Sequence, residues 1–273
     1  MFQEIAANVR AKTPLIHNIT NYVTVNDCAN ILLACGGSPI MADDIGEAEE
    51  ITALCSGLNL NIGTLNQRTI PAMLAAGRRA KELGHPVVLD PVGAGASALR
   101  TSTALRLLEE VRPTVVRGNI SEIKTLALGS GSTKGVDADL ADRVTPENLD
   151  QMAAFAREFS ARCGAVLAIT GAIDLVADPD RVFCIYNGHP DMSRVTGTGC
   201  QLSAVTAAYL AANPDDPLTA AAAAVCAMGL CGEIAHARLS PLDGNASYRT
   251  YIIDAMYNLT PEALEQGARY EMR

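Results

Sequence analysis

Short apolar runs alternate with longer segments in which apolar positions recur at helical spacing, and this alternation holds from end to end of the chain. It predicts an α/β fold with a largely parallel sheet. The predicted strands are Leu15–Ile19, Pro39–Ala42, Leu58–Ile62, Val87–Asp90, Thr114–Arg117, Val166–Thr170, Leu175–Ala177 and Val182–Tyr186. Helical patterns fill the gaps. The segment Thr69–Leu83 puts Ile70, Met73, Leu74 and Gly77 on one face and Arg78, Arg79, Lys81 and Glu82 on the other. A second helix is predicted over Pro146–Cys163, with Thr145 as its N-cap and Glu147 in the first turn. Two alanine-rich helices, Gln201–Ala212 and Leu218–His236, are apolar nearly all round, which predicts burial against the sheet or against another subunit.

Repeats and low-complexity tracts are absent from the sequence. The stretch Gly129–Gly135, continuing polar to Arg143, is too short to divide the chain and reads as a surface loop or lid. A single domain over residues 1–273 is expected. The segment Met1–Ile5 lacks a basic region followed by an apolar core, so no secretory signal is expected there. The alanine-rich run Leu218–Leu230 is too short to span a bilayer.

Charge narrows the partners. Lys and Arg number 21 against 30 Asp and Glu, giving a formal net charge of −9, which argues against nucleic acid or an anionic membrane. With no Trp, seven Tyr and four Phe, a stacking platform for bases is also not expected. The eight cysteines form no C-x-x-C pair, and most sit within apolar runs such as Ile31–Cys35. They read as reduced, mostly buried thiols of a cytoplasmic protein.

Ligands of an open parallel sheet bind at the carboxyl ends of its strands. Polar residues follow five predicted strands directly: Asn18 to Asn21, Met41 to Asp43, Asp90 to Gly95, Arg117 to Asn119, and Thr170-Gly171. Each alone also suits an ordinary βα turn. Two phosphate motifs fail. Lys134 precedes Gly135, so the P-loop order is not met, and the glycine run Gly93–Ala98 is followed by a strand ending in Arg117 where a dinucleotide fold needs an acidic residue. The segment Val195-Thr196-Gly197-Thr198-Gly199-Cys200 is more informative. Its glycines allow main-chain amides to line one concavity ahead of a helix, a hole suited to phosphate. Cys200 would stand at its mouth, where the helix dipole is expected to lower the thiol pKa. A glycine turn ahead of a buried cysteine is the plainer alternative.

At these residues the sequence resembles the hydroxyethylthiazole kinase family, a branch of the ribokinase-like kinases. The resemblance runs through Pro14–Asn21, Gly37–Ala42, Leu60–Leu65, Leu89–Gly95, Arg117–Asn119, Lys134–Asp137, Ala168–Gly171 and Val195–Cys200, in the family's order. It implies a ribokinase-like fold, a mostly parallel central sheet flanked by helices on both faces. It implies ATP-dependent phosphorylation of the alcohol of 4-methyl-5-(2-hydroxyethyl)thiazole, with Mg²⁺, in thiamine biosynthesis and salvage. Cys200 stands where most ribokinase-like enzymes carry a catalytic Asp, and Thr198 replaces the usual Ala of that signature. Carried over residue by residue, Met41, Gly197 and Asn21 are implied to contact the thiazole, while Arg117, Thr170 and Gly199 contact ATP. Asp90 and Glu122 fall on the metal side, Glu122 through the match of Asn119-Ile120-Ser121-Glu122 to the family's N-x-x-E motif. The implied assembly is a homotrimer with sites at the subunit interfaces, and the second alanine-rich helix is the expected contact.

Other readings of the residues are a related kinase for another small alcohol, a Cys-nucleophile hydrolase or acyltransferase, and a non-catalytic thiazole or nucleotide binder. No His or Asn partner for Cys200 is visible in the sequence, which disfavours a covalent role. The expected role of Cys200 is to orient the substrate hydroxyl and take its proton late.

Overall fold

The computed structural model describes residues 1–129 and 143–273. The stretch 130–142 lies outside the described residues, and so does most of the expected loop or lid over 129–143. Among the described residues one nine-stranded sheet runs in the order β2-β1-β3-β4-β5-β6-β7-β8-β9. Its parallel part comprises β1 (Leu15–Ile19), β2 (Ser38–Met41), β3 (Gly57–Asn61), β4 (Val87–Asp90), β5 (Val115–Asn119) and β6 (Val166–Thr170). Three antiparallel strands extend the β6 edge: β7 (Asp174–Ala177), β8 (Val182–Ile185) and β9 (Tyr270–Met272).

Central strands of such a sheet are covered on both faces and so read as nearly continuous apolar runs. Alternate residues enter two separate cores. Val88, Val115, Val166 and Phe183 join one, against α1 (Phe2–Lys12), α2 (Val25–Cys35), α8 (Thr198–Ala212), α9 (Pro217–Ala237), α10 (Asn245–Asn258) and α11 (Pro261–Gly267). Leu89, Val116, Leu167 and Cys184 join the other, against α3 (Ala48–Leu54), α4 (Thr69–Leu83), α5 (Ala98–Val111), α6 (Ile120–Gly129) and α7 (Leu149–Cys163). The expected helix–sheet–helix architecture is present.

The structure corrects several sequence expectations. The helix expected from Pro146 starts at Leu149, and its N-cap is Asn148, not Thr145. The Asn148 carboxamide oxygen accepts from the Thr145 amide, so these residues form a turn before the helix. Strand β9 was absent from the expected set because its short, partly exposed run carries no alternation and is defined by pairing with β8. Helix α9 is long and apolar enough to cross a membrane, yet 83% of its apolar window is buried inside the fold. It packs on α8, α10 and β6–β8, so it is a core helix, buried against the sheet and its neighbouring helices. All eight cysteines are free thiols.

Candidate active site

The carboxyl ends of β1 to β6 meet the first turn of α8. Gly197 is the N-cap, with φ 87°, and no side chain caps the helix. Both glycines are needed for approach. A Cβ on Gly197 would lie 2.3 Å from Thr24 Cγ2, and one on Gly199 would lie 2.4 Å from Arg117 Nη1. The turn thus separates two groups, with Thr24 and Asn21 on the Gly197 side and Arg117 with Thr170 on the Gly199 side. The helix begins at Thr198, so Cys200 sits inside its first turn and does not precede it.

A chain of buried polar groups links these residues. Asn21 Nδ2 donates to Cys200 Sγ at 3.1 Å and to Asn61 Oδ1 at 3.0 Å. Asn61 Nδ2 donates to Asp90 Oδ2 at 2.7 Å, and Ser203 Oγ donates to the same oxygen at 2.7 Å. Arg117 Nη1 is 3.5 Å from Asp90 Oδ2, and its Nη2 donates to Thr170 Oγ1 at 2.7 Å. Two buried atoms in this network, Asp90 Oδ1 and Arg117 Nε, have no hydrogen-bond partner among the described residues.

Burial shifts both acidic groups of this network in the same direction. It pushes the Asp90 carboxyl up, opposed by Arg117, Ser203 and Asn61. It also pushes the Cys200 thiol up, with the nearby Asp90 acting in the same direction. The shift is upward and not downward as expected from the helix terminus, because desolvation and the neighbouring carboxyl prevail over the hydrogen bonds of Thr24, Asn21 and Asn61. An Asn does approach Cys200 in space, but as a donor to sulfur, so it does not abstract the thiol proton.

Glu122 has a local structural duty. Its Oε2 accepts from the Asn119 amide at 2.8 Å, while Asn119 Oδ1 accepts from the Glu122 amide at 2.9 Å, a reciprocal capping box for α6. Its Oε1 accepts from the Gly93 amide at 2.8 Å and ties the loop after β4 to the same corner. Arg100 holds that loop from the other side, donating to Val92, Ile62 and Gly63 carbonyls. Thr198 Oγ1 reaches back to the Met192 carbonyl at 3.5 Å. Met41 ends β2 beside Asn18 and borders the apolar cluster that includes Cys200.

On the Arg117 side opens a cavity of about 770 Å³, lined among others by Arg117, Asn119, Thr170, Asp174, Thr198 and Gly199. Its volume suits a nucleotide-sized ligand. Met41, Asn21, Cys200, Asp90 and Glu122 do not line it. Sequence reasoning missed Asn61, Ser203 and Asp174. The available signals were polar residues within the apolar run of β3 and the spacing of Ser203 from Cys200 on one helix face.

The model of the hydroxyethylthiazole kinase family matches residues 6–262. A hydroxyethylthiazole kinase of Clostridium acetobutylicum is 65% identical over 271 residues, covering 99% of both chains. The solved structure of a hydroxyethylthiazole kinase protein from Pyrococcus horikoshii OT3 superposes with TM-score 0.88 at 34% identity, covering 100% of this chain and 98% of that one. A Staphylococcus aureus pyridoxal kinase in complex with AMP-PCP and pyridoxal shares the fold alone, with TM-score 0.58 at 15% identity over 95% of this chain and 98% of that one.

Proposed function

The chain belongs to the hydroxyethylthiazole kinase family, and from that premise we infer how its site works. It phosphorylates the hydroxyethyl alcohol of 4-methyl-5-(2-hydroxyethyl)thiazole with ATP, a step of thiamine biosynthesis and salvage. The observation that carries the assignment of roles is the glycine turn, which sets Cys200 on one side and Arg117 on the other.

In this proposal the nucleotide occupies the cavity beside Thr170 and Gly199, with its phosphates toward the uncapped amides of α8. Phosphoryl transfer needs positioning and charge neutralisation more than covalent chemistry. Arg117, held by Thr170 and Asp90, supplies positive charge where it builds up on the phosphoryl oxygens. The thiazole lies on the Asn21 and Met41 side, with Gly197 allowing close approach and Met41 giving a soft apolar wall. The Cys200 thiol, neutral at ordinary pH, orients the alcohol by hydrogen bonding. The alcohol's proton passes to an oxygen of the transferred phosphate as the new O–P bond forms and the bond to ADP breaks. Asn21, donating to the sulfur, fixes where the thiol points. The raised thiol pKa and, among the described residues, the lack of a base aimed at the sulfur count against a Cys-nucleophile hydrolase.

Mg²⁺ fits this donor set. Asp90 offers an oxygen without a partner, and Glu122, whose two oxygens already accept main-chain amides, suits contact through the ion's waters. When bound, the ion supplies charge neutralisation of the phosphates. Asp90 and Glu122 would hold it.

The proposed assembly is a homotrimer in which a neighbour completes the thiazole pocket. The contact is placed not on α9 but beside Asn21 and Met41, where Tyr22, Val23 and Ile45 are exposed and β2 forms the sheet edge. Full activity from a monomeric mass in light scattering removes this part. The eight free thiols support a cytoplasmic setting. The decisive assay couples ADP release to a readout with and without the thiazole alcohol. Strict dependence on the alcohol is expected, and ADP release that ignores it overturns the assignment of substrate.

A further inference from the structure

At the far lip of the nucleotide cavity, three side chains outside the phosphoryl-transfer machinery converge. His189 precedes the 3-10 helix Pro190–Arg194, Asp191 lies in its first turn, and His236 lies in the last turn of α9. One ligand atom from each lies within 4.8 Å of the others. His236 Nε2 is 3.2 Å from Asp191 Oδ2, and His189 Nδ1 is 3.8 Å from the same oxygen. We propose that His189, Asp191 and His236 form a binding site for a borderline divalent cation of the zinc class, distinct from the Mg²⁺ of the reaction.

The separations carry the first part of the argument. Ligand atoms held about 2.0–2.1 Å from a tetrahedral ion stand about 3.4 Å apart, between the two distances to the Asp191 oxygen. His189 Nδ1 accepts from the Asp191 amide at 3.2 Å, so its lone pair faces the Asp191 side of the cluster and exchanges that bond for the ion on binding. Arg194 Nε engages the other carboxylate oxygen, Oδ1, at 3.4 Å and leaves Oδ2 to the two imidazoles. His236 Nε2 exchanges its hydrogen bond with Asp191 Oδ2 for the ion when the ion enters.

The two rings stack with centroids 3.5 Å apart and 22° between planes. Lone pairs lie in the ring planes, so one ring must rotate out of the stack to meet a shared ion. Both side chains are about one-third exposed, which leaves room for that turn. The backbone around them is fixed. Glu233, one turn before His236, accepts from the Gly188 amide at 2.6 Å, and Met192 Sδ fills the space above Gly232. Two imidazoles with one carboxylate select Zn²⁺, Ni²⁺ or Co²⁺, whereas Mg²⁺ takes oxygen ligands. His189 and Met192 also line the cavity, so the remaining coordination position opens toward it.

The test is titration of the reduced full-length chain with Co²⁺, read by visible absorption, followed by displacement with Zn²⁺. One equivalent is expected, with ligand-field bands of nitrogen and oxygen ligation, no thiolate charge-transfer band, and persistence in excess Mg²⁺. His236→Ala and Asp191→Asn, both at half-exposed positions, are expected to keep the circular dichroism of the parent and to weaken binding at least about tenfold. Unchanged affinity in both variants, a thiolate band, or no binding by the parent chain overturns the proposal.

Discussion

Asn21 donates a hydrogen bond to the sulfur of Cys200 across 3.1 Å, although the two residues lie 179 positions apart. The group that meets the sulfur is therefore one that stabilises negative charge on it. A carboxylate at the same place would receive the same bond. Cys200→Asp is expected to keep kcat within about tenfold of the parent or to raise it, because a stronger base then meets the alcohol. Burial beside Asp90 is expected to cost about 1–3 kcal/mol of stability. Steady-state ADP release and a denaturation curve check both halves, and a folded variant with no activity removes the positional role of Cys200.

Gly199 is the point where main chain and guanidinium nearly touch. In Gly199→Ala the new methyl would fall 2.4 Å from Arg117 Nη1, so Arg117 must leave its place against Thr170. A displacement of about 1 Å at such a group is expected to lower kcat/KM for ATP about a hundredfold. The KM for the thiazole alcohol, which the proposed arrangement puts on the other side of the turn, is expected to change little. Kinetics with each substrate varied in turn provide the check.

Glu122 combines a cap with a proposed metal role, and one variant separates them. Glu122→Gln keeps an acceptor for one main-chain amide and places an NH₂ toward the other, at a cost of about 1–2 kcal/mol. If the carboxylate also serves the ion, the Mg²⁺ concentration for half-maximal activity should rise about tenfold. A lower Tm with an unchanged Mg²⁺ dependence leaves Glu122 as a cap only.

Burial pushes the Asp174 carboxyl up to about 7, against the opposing pull of the Gly171 amide and Arg117. In the unfolded chain the same carboxyl loses its proton near pH 4. Between those values the folded state holds a proton that the unfolded state has released, so this group's contribution to stability falls as pH rises through the window. In Asp174→Asn the turn bond to Gly171 can persist without the titration. The parent's Tm is expected to decline by a few degrees relative to the variant between about pH 4 and 7, as scanning calorimetry of both proteins would measure. A constant difference in Tm across that range refutes the assignment.

Much of the framework was legible in the pattern of residues. Helix α4 occupies Thr69–Leu83 as its two-faced spacing predicts, and β1, β4 and β6 match their apolar runs. Ends were less legible because they depend on partners. Thr145 has the chemistry of a cap, yet Asn148 takes that position once it closes a turn on the Thr145 amide. Within the site, Cys200 stood out because glycines flank it. Asn61 and Ser203 did not, since what gives them meaning is Asp90, 29 and 113 positions away. The sign of the Cys200 shift failed for the same reason. A helix terminus is visible in sequence, whereas depth of burial and a neighbouring carboxyl are properties of the assembled fold.

The polar chain from Cys200 through Asn21, Asn61 and Asp90 to Arg117 has a consequence for how the protein matures. Its links join the turn after β1 with β3, β4, β5 and α8, so the chain of bonds is complete only once Asn21 has met Cys200, 179 positions away. Helices can form from local contacts, but this chain closes only after its most distant segments have met, and such contacts are slow to form. Catalytic competence should therefore return after helical signal during refolding. Turnover is then a stricter gauge of native assembly than secondary structure, and a ribosome-bound or truncated chain that already looks helical remains inert.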